Sequence, residues 1–84
     1  MISSLALMSI YKSPIIPLSE ICDRYLSLSI DEALKRASRA ELPFPTFRIS
    51  QSRKAPLMVL AEDLGAHIDK TAAHARTEWE RAQS

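Results

Sequence analysis

The sequence predicts one small, mainly helical domain carrying a single β-hairpin. Three observations lead there. Apolar residues recur at helical spacing in several separate stretches, two short β-type runs flank a polar segment, and proline punctuates the chain in place of glycine, with five prolines against one glycine. At 84 residues the chain is near the low end of what folds alone, so most of it must serve one core and a second domain does not fit.

Taken in order, "SSLALMSIYKS" reads as a short helix capped by Ser3 or Ser4, with Leu5, Met8 and Tyr11 inward; an extended segment is the alternative. Pro14-Ile15-Ile16-Pro17 reads as a break. From Ser19, the positions of Ile21, Cys22, Tyr25 and Leu26 predict a two-turn helix with the serine accepting from first-turn amides. Ser29-Ile30-Asp31-Glu32 fits a capping box, and both acids sit at the positive end of the next helix dipole. That helix should turn Ile30, Ala33, Leu34, Ala37 and Ala40 inward and leave Lys35, Arg36, Ser38 and Arg39 to solvent. Two helices joined by Ser27-Leu28-Ser29 match a helix-turn-helix, or an αα-hairpin of another angle.

Pro43 and Pro45 cannot donate backbone hydrogen bonds, so they end this helix and lead into an extended edge. "PTFRI" and "PLMVL" then form the expected hairpin, with Phe47 and Ile49 alternating against Thr46, Arg48 and Ser50. Its tip, "SQSRKA", lacks an Asn-Gly turn and predicts a longer loop. Residues 61–84 form a final helix with Leu64, Ile68, Thr71 or Ala72, Ala75 and Trp79 on one face. That helix is longer than one small body needs, so Ile68, Ala75 and Trp79 are candidates for association of two copies; the alternative folds Trp79 back onto its own domain.

The composition excludes more than it assigns. Hydrophobic residues at 46%, charged residues at 25% and a net charge of +1 give no general drive toward nucleic acid or anionic lipid. Between Ala33 and Lys54, however, six basic residues face one acid, Glu41, so this window carries +5 and the remainder −4. Cys22 is alone, which excludes an internal disulfide or a multi-cysteine zinc site and suits a reduced thiol in the cytoplasm. The apolar N-terminal stretch lacks a basic flank and is shorter than the roughly 20 residues of a membrane span. Phosphate loops need more glycine, His67 and His74 stand seven apart without a metal-ligand pattern, and no serine lies in a nucleophile elbow. Neither catalysis nor a cofactor, metal or small-molecule substrate is expected.

What does suggest work is the succession of helix, short turn, basic capped helix and basic-tipped hairpin. A helix fits the major groove of B-form DNA, where Arg36 and Arg39, one turn apart, can meet bases or phosphates, with Lys35 toward the backbone. A wing bearing Arg48, Gln51, Arg53 and Lys54 can reach adjacent phosphates or a minor groove. The competing explanation is that these lysines and arginines are merely solvated.

The run "IIPLSEICDRYLSLSIDEALKRASRAELPFPTFRI", continued by "MVLAEDLGAHID", resembles the pyocin activator protein (PrtN) family of bacterial, prophage-associated transcription activators. The resemblance rests on Ile15 to Pro17, Tyr25-Leu26, Lys35-Arg36, Glu41 to Pro43, Phe47 to Ile49 and Asp63-Leu64. More broadly, the order is similar to excisionase and MerR-type winged helix-turn-helix proteins. The resemblance implies promoter DNA binding through helix and wing, in the cytoplasm, and leaves room for a contact with RNA polymerase. Two positions depart from the pattern: Ala40 stands where such proteins often have glycine, and the wing tip is proline-bounded. Two other roles suit the same scaffold: a phage-derived module that binds a host protein, and an excisionase-like architectural factor.

Overall fold

A computed structural model describes residues 2–83; the two ends of the predicted domain, 1 and 84, lie outside the described residues. The elements run α1 (Ile2–Tyr11), β1 (Ile15–Pro17), α2 (Leu18–Leu26), α3 (Ile30–Ser38), β2 (Met58–Leu60) and α4 (Ala61–Gln83). Four helices thus surround a small antiparallel sheet whose register pairs Ile15 with Leu60, Ile16 with Val59 and Pro17 with Met58.

The predicted break at residues 14–17 therefore contains a strand, Ile15–Pro17, entered from Pro14. Prolines do not prevent it, because the bonds from Ala61 N to Pro14 O (2.8 Å) and from Leu18 N to Leu57 O (2.9 Å) bracket the ladder. Alternation along an antiparallel pair then puts Pro17 at a non-hydrogen-bonded position, where a missing N–H costs nothing. β1 runs straight into α2, whose N-cap is Pro17 without a side-chain cap, so Ser19 lies inside the helix and does not cap it. The predicted hairpin shrinks correspondingly. Phe47 and Met58 exchange both backbone hydrogen bonds, at 3.0 and 2.7 Å, as a single bridge, and Ile49, which alternates with Phe47 in the sequence, is 71% exposed while Phe47 is half-buried. β2 spends its other edge on β1, which leaves the loop over residues 48–57, where the wing was expected, a one-rung stem.

α3 starts as expected, with Ser29 Oγ accepting from Glu32 N at 3.2 Å. The reciprocal half of the capping box gives way to an ion pair, Glu32 Oε1 lying 3.3 Å from Arg36 Nε. At the other end Glu41 N donates to Arg36 O and Ala40 N to Ala37 O, a Schellman closure that puts Ala40 at φ 56°. Ala40 is exposed and outside the inward stripe, Ile30 and Leu34 are each 40% exposed, and only Ala33 is fully buried.

The core collects Leu7 from α1, Ile16 and Val59 from the sheet, Leu18, Ile21 and Cys22 from α2, Ala33, Phe44, and Ala61 and Leu64 from α4. On α1 the inward positions are Ser4, Leu7 and, partly, Met8 and Tyr11; Leu5, expected inward, is 67% exposed. The reason is the closeness of α4. A Cβ added to Gly65 would lie 2.5 Å from Ser4 N and 2.6 Å from Ser4 Cα, so the chain's one glycine is where two helix backbones meet and only a small residue fits opposite. Ser3 Oγ donates to Asp69 one turn farther along. Beyond that point α4 leaves the body. Ile68 packs against the core, whereas all described side chains from Lys70 onward, Ala72, Ala75 and Trp79 among them, are exposed. No helix among the described residues is long and apolar enough to cross a membrane.

Candidate nucleic-acid interface

Among the grooves that open between α3 and the segment that follows it, Arg48 borders two. One runs between Leu34, Ala37 and Ser38 of α3 and the stretch from Thr46 to Gln51. The other continues past the start of α3, between Leu18, Ser19, Ile30 and Leu34 on one side and Arg53, Ala55 and Pro56 on the other. Arg48, Leu34 and Leu57 border both. No α4 residue lines either groove, so the terminal helix does not cover this face.

Local chemistry explains the shape of the wing without glycine. Ser50 Oγ accepts from Ser52 N and Ser52 Oγ from Lys54 N, both at 3.2 Å, and Ala55 N closes a turn on Ser52 O at 3.1 Å. Serine hydroxyls thereby stand in for the conformational freedom a glycine would supply. Arg48 Nε donates to Ala55 O at 3.0 Å, fastening the two sides of the wing above the Phe47–Met58 rung. Part of this guanidinium is therefore a structural clasp.

The predicted contact residues fall into three groups. Arg48 and Gln51 border the first groove and Arg48 and Arg53 the second. On α3, at 3.6 residues per turn, Lys35 lies about 60° around the helix from Ser38 and Arg39 about 40° beyond it, so both continue the groove's rim outward. Arg36 is about 160° from Leu34 and from Ser38, on the far flank beside Glu32. Its ion pair and the 3.9 Å pair of Arg39 with Glu41 are both well exposed, and such pairs are weak enough to be exchanged for a phosphate. Lys54 is exposed at the tip and lines neither groove.

Of the groove's neutral polar groups, sequence reasoning put Ser50 at the tip beside Gln51, within reach of a phosphate, but passed over Ser38 and Thr46 as contacts. The i, i+4 spacing of Leu34 and Ser38 beside Lys35 was the available signal. Among the described residues no cluster of three His, Cys, Asp or Glu is placed to hold a metal ion. His67 instead meets the Phe44 ring edge-on, at 6.1 Å and 72°.

A family model described as pyocin activator protein PrtN matches residues 5–75. The matched stretch takes in both grooves and the whole wing and ends before Trp79. No curated protein and no solved structure matches the chain.

Proposed function

The chain belongs to the pyocin activator protein PrtN family, and from that premise we propose that it is a sequence-specific double-stranded DNA-binding transcription regulator that activates prophage or bacteriocin genes. The observation that carries the reading is that Arg48 and Arg53 border the grooves beside α3, while Lys35 of α3 and its C-cap Arg39 are exposed next to the groove residue Ser38.

The succession α1, β1, α2, α3, wing, β2, α4 supports a winged helix-turn-helix, with α3 entering the major groove and the wing reaching beside it. Lys35 and Arg39 meet bases or phosphates from the outer face of α3, and Arg36 adds charge at its flank once released from Glu32. Arg53, Lys54 and Gln51 supply the wing contacts, while Arg48 both fastens the wing and borders the grooves. The free half of α4, with Ala75 and Trp79 following Ile68 on one face, joins two copies, so that two wings address paired half-sites about one helical turn apart.

Titration of a labelled duplex at increasing salt tests the reading. Affinity should fall linearly on a log–log scale, with a slope of roughly −0.9 per phosphate neutralised. A flat response, or no binding at low salt, contradicts it. A stoichiometric protein partner retained at high salt would point instead to a protein-binding module.

A further inference from the structure

Resting on the DNA reading above, we infer that the groove between α3 and the wing is a cradle for one sugar-phosphate strand of the duplex, which passes between them while α3 occupies the groove on one side and the wing the next. The lining carries the argument. Ser38, Thr46, Ser50 and Gln51, three hydroxyl-bearing residues and an amide, stand on the two walls with Arg48. The apolar residues Leu34, Ala37, Phe47, Ile49 and Leu57 complete the lining, where the sugar carbons would pack. Neutral hydroxyl and amide donors beside an arginine are the groups that position phosphates, and they carry little sequence information. Lys35 and Arg39, the latter in its exposed 3.9 Å pair with Glu41, follow beside Ser38, where they meet neighbouring phosphates or base edges.

Donors are available for this. Ser50 Oγ accepts from Ser52 N and keeps its own hydrogen to donate, whereas Ser38 Oγ donates to Lys35 O at 2.7 Å and exchanges that bond for the phosphate on binding. A strand seated in this way is held by hydrogen bonds from uncharged groups. Its signature therefore differs from that of a purely cationic surface, because losing a neutral donor releases no counterion.

The experiment uses the full chain and a duplex selected from a random pool, with single phosphates replaced one at a time by uncharged methylphosphonates. Thr46→Val and Gln51→Ala should each weaken binding by roughly 2- to 10-fold with the salt slope unchanged. Lys54→Ala should make the slope shallower by roughly 0.9. One methylphosphonate position on one strand should weaken the unaltered protein and have little added effect on the Thr46→Val, Gln51→Ala double variant. Additive losses at every position, or variants that alter the selected sequence and leave phosphate dependence untouched, overturn the cradle and leave DNA binding standing. If the unaltered protein selects no duplex at low salt, the DNA reading falls and the cradle with it.

Discussion

Leu64 and Leu34 are the same residue on two helices, and the molecule treats them oppositely. Leu64 is 0% exposed on α4, one residue before the Gly65–Ser4 approach and in one buried cluster with core residues of α1, the sheet and α2. Leu34 is 40% exposed on α3 and lies between two grooves. The α1–α4 end is packed as a core, backbone close to backbone, whereas the α3–wing end keeps its apolar groups half covered and surrounds them with hydroxyls and cations. A chain this short cannot bury both ends. What the contrast teaches is that the exposed leucine marks a surface kept open, and the buried one marks what keeps that surface in place.

Truncating each leucine sharpens the contrast most. Leu64→Ala should lose about 3–5 kcal/mol, a large part of the stability of a domain this size, whereas Leu34→Ala should lose about 1 kcal/mol or less. Urea unfolding followed by circular dichroism measures both; equal losses would break the distinction. Gly65→Ala comes next, at a net loss of about 1–3 kcal/mol, because the new methyl meets Ser4 backbone atoms and outweighs alanine's better helix propensity. A gain in stability would mean that α1 can move away freely.

At the α3 end, Ala40→Gly should raise stability by about 1 kcal/mol, since glycine adopts the observed φ of 56° without a Cβ clash. Trp79→Ala has the smallest expected effect on the fold, within about 0.5 kcal/mol, as its side chain stands off the body at 63% exposure. It should nevertheless shift sedimentation at tens of micromolar from dimer to monomer. A monomer for the unaltered chain would remove the dimer proposal.

Much of this organisation is legible in the sequence wherever local chemistry decides it. Ser29 caps α3 as its spacing says, the acids open α3 and α4, and the α4 pattern gives a helix that outruns the body. Other features depend on partners distant in the chain. Pro14 to Pro17 looks like punctuation until β2 arrives to pair with it, and that pairing in turn reduces the hairpin at Phe47 to one rung. Leu5 and Leu7 compete for the inward side of α1, and the choice falls to Leu7 because the close approach of Gly65 turns the Ser4 side of α1 toward α4. At the candidate site, charge pointed to Lys35, Arg36, Arg39, Arg48, Arg53 and Lys54, but the neutral groups Ser38 and Thr46 were passed over, because charge says nothing of them and their place at a groove depends on how the chain from Thr46 to Gln51 lies against α3. Ala40 shows how a departure from pattern is absorbed: the chain adopts the left-handed conformation anyway and bears its strain.

The division of the molecule into a packed end and a proposed recognition end is tested most directly by recording backbone amide shifts by NMR as a selected duplex is added. Shifts should concentrate in residues 34–39 and 46–54, spread to Ser19 at the start of α2, and leave Leu7, Leu64 and Gly65 unmoved. Shifts centred on α1 and α4, with α3 and the wing silent, would contradict the account.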